Sequence, residues 1–570
     1  MSFRAPARDL AFALTEVAGI DAVAATGAFP DFDREIMDAV LEAAANLADD
    51  VLAPINREGD RVGARFENGQ VISAPGSREA YRAFAEGGWN GLAADPAYGG
   101  QGLPRALSLA VFEMMHAANM AFALCPTLTQ GAIEALQVHG SEAQKALYLP
   151  RLISGEWPGT MNLTEPQAGT DLALLRTRAE PDGQGGWKLF GEKIFITWGD
   201  HDCADNIVHL VLARLPDAPE GVRGISLFLA TKRKTDAAGA LGAANLLRPA
   251  SIEHKLGIHA SPTCVMLYEG ASAELIGPPH QGLAAMFTMM NAARVNVGAQ
   301  GVGIAERAYQ GALAYAQERR QGRSPWSADK TAAIFDHPEI RRSLALMKAK
   351  IEAARGICLA TAVAADLALH AATPEAREAA RRREDLFTPV AKAWSTDVGV
   401  EVASAALQVH GGMGFIEETG AAQHYRDARI APIYEGTNGI QAMDLAGRKL
   451  SIGDGLAVRE LIADIRGTAG LGARLSAGVD ALETATAWMV ERKGSADSLA
   501  SATAYLQLMG DVCGGWMLAK GALAAPDSHR PALARLYAER VLTAAPGLAA
   551  GIAAGAGDLE GLDAEALASQ

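Results

Sequence analysis

The chain has 570 residues, and its 51 Lys and Arg against 66 Asp and Glu give a net charge of −15. This length predicts several packed domains, and the acidic balance disfavours binding to nucleic acid or to anionic membranes. The cysteines are odd in number and show no C-x-x-C spacing, as is typical of a protein from a reducing compartment. They are Cys125, Cys203, Cys264, Cys358 and Cys513. The histidines show no spacing typical of metal ligands, so we expect no metal site.

Residues 1–34 form a leader in which Arg4, Arg8 and Asp9 interrupt the apolar residues. A secretory signal has an unbroken apolar core, which this leader lacks. We identify no stretch that approaches the roughly 20 consecutive apolar residues needed to span a bilayer. We therefore expect a cytoplasmic protein that binds no membrane.

The remaining chain divides by the period of its apolar residues. Spacings of three and four over 35–158 predict a helical N-domain, and short β-branched and aromatic runs over 159–280 predict a β middle domain. Helical spacing returns over 281–450, which predicts a helical-bundle C-domain, and continues through a C-terminal extension at 451–570. This segregation predicts an α+β, mostly helical fold with the sheet between helical domains.

The glycine-rich run GAQGVG at 298–303 resembles a dinucleotide-binding loop at first sight. It lies inside a helical pattern and follows no strand, so it fails the context that such a loop requires. We expect these glycines to allow close packing of helices.

The segment IAPIYEGTNGIQ places a carboxylate before a predicted helix. Pro432 ends the preceding element, and Thr437 or Asn438 can cap the next helix. Glu435 then lies where an anion is stabilised and where free backbone N–H groups can donate to an oxygen. On this pattern alone, a carboxylate that only complements the helix dipole is the simpler interpretation. A catalytic base is the alternative.

Four segments, in order, resemble signatures of the acyl-CoA dehydrogenase family. They are MNLTEPQAGTD (161–171), FITWG (195–199), ARVNVGAQGVGIAERAYQGALAYAQERR (293–320) and LQVHGGMGFIEETGAAQHYRDARIAPIYEGTNGIQ (407–441). The resemblance implies the acyl-CoA dehydrogenase fold, with FAD held between the domains. It also implies an enzyme that converts an acyl-CoA to a trans-2-enoyl-CoA, with Glu435 as the catalytic base.

The resemblance implies flavin contacts in the middle domain. Thr164 matches a hydrogen-bonding partner of the flavin, and Gly169 and Thr170 match residues on the phosphate and pantetheine side. Small residues permit close backbone approach, and a hydroxyl can donate to phosphate oxygens. Phe195 and Thr197 match the residues that flank the flavin ring, although the family often has Trp at the position of Phe195. An ordinary turn at a strand end is the alternative interpretation of TEPQAGTD.

Further contacts implied by the resemblance come from a second chain. Arg319 matches an arginine that reaches the FAD pyrophosphate across a subunit interface, a charge-assisted contact. Gln408, Gly411 and Gly412 match contacts of the partner subunit with the ADP half of FAD. We therefore expect a homodimer whose two chains build each site.

Two more residues are assigned through the resemblance. Thr437 is placed with the cofactor contacts, and Arg294 corresponds to an arginine near the active centre, on the substrate side. A lone helix arginine is also often a surface ion-pair partner, which is the alternative for Arg294.

The chemistry requires a base stronger than a free carboxylate, whose pKa is roughly 4.3. Burial would raise the pKa of Glu435, and donors at the thioester oxygen would stabilise the enolate. By resemblance, these donors are the backbone N–H of Glu435 and a ribityl hydroxyl of FAD, and the hydride passes to the flavin. An electron-transfer flavoprotein then receives the electrons, whereas an acyl-CoA oxidase would use oxygen directly.

The leader, the total length and the extension resemble the 3-methylthiopropanoyl-CoA dehydrogenase group of dimethylsulfoniopropionate breakdown. Other short or medium acyl-CoAs fit equally well on physical grounds. A DNA-associated flavoprotein of the same fold is the non-enzymatic alternative, and it would need a basic surface. Residues 451–570 instead carry 9 Lys and Arg against 14 Asp and Glu, which disfavours it.

Overall fold

The computed structural model describes residues 3–236, 238–468 and 472–568, so small parts of the predicted leader and extension lie outside the described residues. The α-helices are α1 Ala7–Phe12, α2 Asp21–Ala24, α3 Arg34–Leu47, α4 Ala53–Val62, α5 Ser77–Glu86, α6 Arg105–His139, α7 Glu142–Ser154, α8 Gly282–Glu318, α9 Pro338–His370, α10 Pro374–His410, α11 Ala421–Ala428, α12 Asn438–Gly447, α13 Leu456–Gly467, α14 Ala473–Glu491, α15 Ala496–Ala524, α16 Arg530–Arg540, α17 Ala545–Ile552 and α18 Ala564–Ala568. The strands are β1 Arg65–Glu67, β2 Gln70–Ile72, β3 Gly159–Asn162, β4 Arg178–Pro181, β5 Trp187–Thr197, β6 Val208–Arg214, β7 Ile225–Thr231, β8 Arg233–Thr235, β9 Leu241–Ala244, β10 Leu247–Ile252 and β11 Thr263–Ile276.

The N-terminal part is helical, as the apolar spacing predicts, with one exception. Strands β1 and β2 form a short antiparallel hairpin after α4, which the helical pattern did not indicate. Helix α6 is also bent, because Asn119 has φ −157° and ψ 90°. The side chain of Asn119 accepts a hydrogen bond from Phe122 N at 3.1 Å and donates to Leu52 O at 3.3 Å. The first bond satisfies a backbone N–H of α6 just after the bend, and the second ties the bend to the segment before α4.

Helix α6 corrects one sequence expectation. It contains an 18-residue window with a mean hydropathy of 1.4, so by length and composition it could cross a membrane. All of that window is buried inside the protein. A helix that is apolar on all sides is typical of a protein core as well as of a bilayer, and α6 occupies the core.

The middle of the chain folds into a seven-stranded sheet with the order β10-β11-β5-β4-β6-β3, in which β7 pairs with both β11 and β6. The pairings from β11 through β5, β4, β6 and β7 therefore form a closed circuit. The pairing of β5 with β11 contains a bulge, since Ile196 faces Cys264 whereas Lys193 faces Met266. One extra residue of β5 lies between these pairs. Such a bulge bends the strand and redirects a side chain.

Helices α8, α9 and α10 form a bundle whose close contacts confirm the prediction for GAQGVG. A Cβ on Gly298 would lie 2.6 Å from Ala391 O, and one on Gly301 would lie 2.5 Å from Ser395 O. Both carbonyls belong to α10, so only glycine allows this approach of α8.

The leader and the extension pack on the same bundle. Asp9 of the leader pairs with Lys348 of α9 at 2.6 Å, and Arg530 of the extension pairs with Glu352 of α9 at 2.8 Å. Helix α15 lies against α9, α10 and α12. The α+β, mostly helical fold class is thus confirmed.

Candidate active site

Glu435 lies in the turn between α11 and α12. Helix α12 follows Thr437, whose Oγ1 accepts a hydrogen bond from Ile440 N at 3.4 Å, so the predicted cap is confirmed. The backbone of Glu435 has φ 55°, a conformation that is uncommon for a residue with a side chain and costs about 1–3 kcal/mol. Among the described residues, none accepts from its backbone N–H and none pairs with its carboxylate. Both groups of Glu435 are therefore available to a ligand.

Contacts from neighbouring helices hold this turn in place. Lys392 Nζ of α10 donates to Gly436 O and to Asn438 Oδ1, both at 2.8 Å. Gln441 Nε2 of α12 donates to the carbonyl of Glu435 at 3.2 Å. The surroundings thus determine a strained backbone, as is common at functional sites.

The charges around Glu435 suit a base that works near neutral pH. Burial raises the pKa of Glu435 to about 7, against the opposing effect of Arg294 and Lys392. A general base is most effective when its pKa lies near the working pH. Burial likewise lowers the pKa of Lys392 to about 7, while the carboxylates of Glu435 and Asp397 act to raise it.

Arg294 is not a surface residue, so the ion-pair alternative from the sequence is wrong. Its exposed fraction is 8%, and burial lowers its pKa. The carboxylates of Asp444 and Glu435 act in the opposite direction on this guanidinium. Arg294 of α8 therefore lies near Glu435, which comes two residues before Thr437, the cap of α12.

The middle-domain residues assemble around the bulge of β5. Thr164 O accepts from Ile194 N at 2.9 Å, which brings Thr164 beside Phe195. Phe195 has φ 60°, and 58% of its surface is exposed. Thr197 faces Thr263 on β11. The structure thus brings together three of the predicted flavin contacts.

These residues fit a flavin. The side-chain hydroxyls of Thr164, Thr170 and Thr197 make no hydrogen bond to any other described residue. Gly169 and Thr170 are exposed at the end of the turn, and no atom lies within 4 Å of a Cβ built on Gly169. An exposed aromatic ring flanked by free hydroxyls can contact a planar cofactor with polar edges.

Sequence reasoning missed the ion pair that fastens this turn. Lys193 Nζ of β5 lies 2.9 Å from Glu165 Oε1, and both side chains are buried. Glu165 also accepts from the backbone N–H groups of Arg176 and Thr177, at 2.7 and 3.0 Å. Burial alone would raise the pKa of Glu165, but Lys193, the Thr177 side chain and the backbone N–H of Arg176 lower it to about 2. Lys193 shares a strand face with the buried Leu189, and a charge in that position was the available signal.

Sequence reasoning also missed Lys392. It lies in the run LFTPVAKAW of α10, where the surrounding residues are buried. A single lysine in such a run indicates a buried cation with a specific partner, which is the signal that could have found it.

The remaining predicted residues lie far from Glu435 within one chain. Arg319 ends α8, the helix that carries Arg294, 25 residues further along. At 1.5 Å per residue, this separation is about 37 Å. Tyr315 stacks on His410 with 4.7 Å between ring centroids, which brings the ends of α8 and α10 together. Here lie Arg319 and the exposed residues Gln408, Gly411 and Gly412.

Three family models of one enzyme class match consecutive parts of the chain. The N-terminal domain of acyl-CoA dehydrogenase matches 35–156, the middle domain 160–271 and the C-terminal domain 280–450. A fourth model, acetyl-CoA dehydrogenase C-terminal like, matches 457–563. The chain belongs to the acyl-CoA dehydrogenase family, and it is an FAD-dependent oxidoreductase.

Individual relatives agree with this assignment. The chain is 45% identical over 544 residues, 92% of each chain, to a Ruegeria pomeroyi protein named 3-methylmercaptopropionyl-CoA dehydrogenase. Caenorhabditis elegans ACDH-11, solved with C11-CoA, superposes with a TM-score of 0.80 at 21% identity over 95% of this chain and 92% of that chain. A Bacillus anthracis acyl-CoA dehydrogenase with FAD gives a TM-score of 0.75 at 22% identity over 92% and 88%. At these identities the two structures support the fold alone.

Proposed function

We propose that this enzyme oxidises 3-methylthiopropanoyl-CoA to 3-methylthioacryloyl-CoA, with Glu435 as the base. The name of the Ruegeria pomeroyi relative, which matches nearly the whole chain, supports this substrate. The observation that carries the mechanism is the Glu435 turn, where neither the carboxylate nor the backbone N–H of one residue has a partner among the described residues.

The proposed reaction uses both groups of Glu435. Its carboxylate removes the α-proton, and its backbone N–H donates to the thioester oxygen, where negative charge develops. FAD, when bound, would supply the acceptor for the hydride of the β-carbon. Thr164, Phe195 and Thr197 orient the ring, and Arg294 supplies a positive charge near the carboxylate.

We also propose a homodimer with shared cofactor sites. Arg319 lies about 37 Å along α8 from Arg294, so one chain cannot offer both ends to the same flavin ring. The cluster at the ends of α8 and α10 would contact the ADP half of the cofactor bound by the partner subunit. Its exposed Gln408, Gly411 and Gly412 leave room for this contact.

An electron-transfer flavoprotein is the proposed electron acceptor, and the cytoplasm the proposed location. The cysteines are all unpaired, which supports a reducing compartment. An oxidase remains the second candidate within the same family chemistry, and oxygen consumption separates the two.

The test is an anaerobic titration of the FAD-loaded enzyme with 3-methylthiopropanoyl-CoA, butyryl-CoA and octanoyl-CoA. Loss of the visible absorbance of FAD measures the dehydrogenation, and the sulfur-containing thioester should react fastest. A faster reaction with another chain length would refute the substrate but retain the mechanism. An absorbance unchanged by every thioester would refute the proposed function. Rapid recovery of the absorbance in air would identify an oxidase.

A further inference from the structure

We propose that Lys392 is a positioning residue for the catalytic base, because it holds the Glu435 turn and places a positive charge beside the carboxylate. This inference rests on the proposed role of Glu435. Lys392 belongs to α10 and is 43 residues away from Glu435 in the chain, so only the fold brings the two together.

The hydrogen bonds of Lys392 fix the backbone on the helix side of Glu435. Its ammonium holds the carbonyl of Gly436, and Gln441 holds the carbonyl of Glu435. The two peptide groups that follow Glu435 are therefore both fixed by side chains. With these two groups fixed, Glu435 keeps its positive φ, and its own N–H stays free.

The second contact of Lys392 extends the clamp into α12. Asn438 Oδ1 accepts from Lys392 Nζ at 2.8 Å, and Asn438 Nδ2 donates to Asp397 Oδ1 at 2.8 Å and to Ala393 O at 3.0 Å. Asn438 Nδ2 also donates to Thr396 Oγ1 at 3.0 Å, so the first residue of α12 is bonded to four residues of α10. Helix α10 therefore determines where α12, and the turn before it, begins.

The charge of Lys392 is not neutralised by an ion pair with any described carboxylate. Its side chain is fully buried, and no carboxylate among the described residues lies within 4.0 Å of Nζ. A buried cation that is bonded only to neutral oxygens lies in a medium of low dielectric constant. The same low dielectric that makes the charge costly strengthens its interaction with a nearby anion. Glu435 is the largest such influence on Lys392.

Other charged groups also face the site. Arg294 lies on α8, and Lys392 and Asp397 lie on α10. Asp444 lies on α12, and Arg448 directly follows that helix. Asp444 is paired with Arg448, and Asp397 accepts from Asn438. Lys392 and Arg294 therefore remain as the cations that favour the ionised form of Glu435.

The experiment compares the FAD-loaded Lys392→Met variant with the unaltered enzyme. The rate of FAD bleaching by substrate is measured anaerobically against pH. Loss of a cation near the carboxylate should move the pH at half-maximal rate up by about one unit. The maximal rate should fall while KM changes little, because the turn positions the base and not the CoA. Lys392→Arg retains the charge and should restore the position of the pH profile.

Lys348→Met is the matched control. Lys348 is also a largely buried lysine of the bundle, but it pairs with Asp9 at 2.6 Å, and its ammonium bonds to no residue of the Glu435 turn among the described residues. This variant should lose stability without moving the pH profile. A shift as large as that of Lys392→Met would show that any loss of a buried lysine has this effect, and the inference would be wrong.

A pH profile of Lys392→Met that matches the unaltered enzyme would overturn the inference. If Lys392→Met does not retain FAD, Lys392→Gln is measured by the same criteria. Its amide can still donate to Gly436, so an unmoved profile in this variant would count equally against the role of the charge. Glu435→Gln separates the two proposals. A fully active Glu435→Gln variant would refute Glu435 as the base. An inactive Glu435→Gln variant together with an unaltered pH profile in Lys392→Met would refute only the role of Lys392.

Discussion

Two turns of this enzyme are each fastened by a fully buried lysine, and the two lysines have different partners. In the middle domain, Lys193 forms an ion pair with Glu165 at 2.9 Å. In the C-domain, Lys392 bonds two neutral oxygens, both at 2.8 Å. Burial lowers the pKa of Lys193 to about 8 and that of Lys392 to about 7.

The difference shows how the same side chain serves structure in one turn and chemistry in the other. Glu165 balances the charge of Lys193. Lys193 therefore fixes the Thr164 turn, residues 164–171, and its charge has little effect on the surroundings. No carboxylate of the described chain pairs with Lys392, and its charge acts on Glu435. Loss of Lys193 should therefore affect folding and FAD binding first, and loss of Lys392 should affect the base first.

The largest expected effect tests the C-domain turn directly. Glu435→Gln keeps the size of the side chain but removes the base, so substrate-dependent bleaching of FAD should slow by about 10²–10⁴-fold. FAD content and the visible spectrum should stay normal, because Glu435 makes no contact with the Thr164 turn in the described structure. Stopped-flow absorbance measures the rate. A loss below tenfold would show that another group removes the proton.

The middle-domain turn should respond in stability. Lys193→Met leaves Glu165 buried without its cation, and breaking a buried pair in this way costs about 3–5 kcal/mol. Urea unfolding of the FAD-free protein measures the loss. The double variant Lys193→Met, Glu165→Gln should recover part of it, because the unpaired charge is gone. A double variant as unstable as the single one would show that packing, and not the ion pair, fastens this turn.

The motifs of both turns could be predicted from the sequence, but the contacts of Lys193 and Lys392 that hold the turns in place could not. Thr437 could be identified as a cap because capping depends on residues three positions apart. The contact of Lys392 with Gly436 joins residues 44 positions apart, which local patterns cannot show. The positive φ of Glu435 likewise follows from tertiary contacts and has no local signature.

A similar limit applies to Arg294 and Phe195. Helical spacing placed Arg294 on α8, but burial depends on how α8, α10 and α12 pack, so the surface alternative remained open. The motif placed Phe195 on a strand, whereas the bulge that exposes its ring depends on the register with β11. Fold class could be predicted because apolar periodicity is local and recurs along the whole chain.

Phe195 offers a smaller test of whether the middle-domain turn binds the cofactor. Phe195→Gly removes an exposed ring and relieves a positive φ, so the FAD-free protein should be as stable as before or slightly more stable. Its affinity for FAD should fall roughly fivefold, the effect of losing about 1 kcal/mol of aromatic contact. Fluorescence titration with FAD measures the affinity. Unchanged affinity would remove Phe195 from the cofactor site.

The last prediction concerns the stability cost of the catalytic carboxylate. Burial raises the pKa of Glu435 to about 7 from an ordinary value of 4.5, so the folded state binds its proton more tightly than the unfolded state. The contribution of Glu435 to stability is then most favourable below pH 4.5 and is lost as the pH rises to about 7. Glu435→Gln does not titrate, so its stability relative to the unaltered protein should increase by about 2–3 kcal/mol between pH 5 and pH 8. Urea unfolding at the two pH values measures this change. If the two proteins differed in stability by the same amount at both pH values, solvent would reach the Glu435 carboxylate freely. The C-domain turn would then lack the buried charge that distinguishes it from the turn held by Lys193.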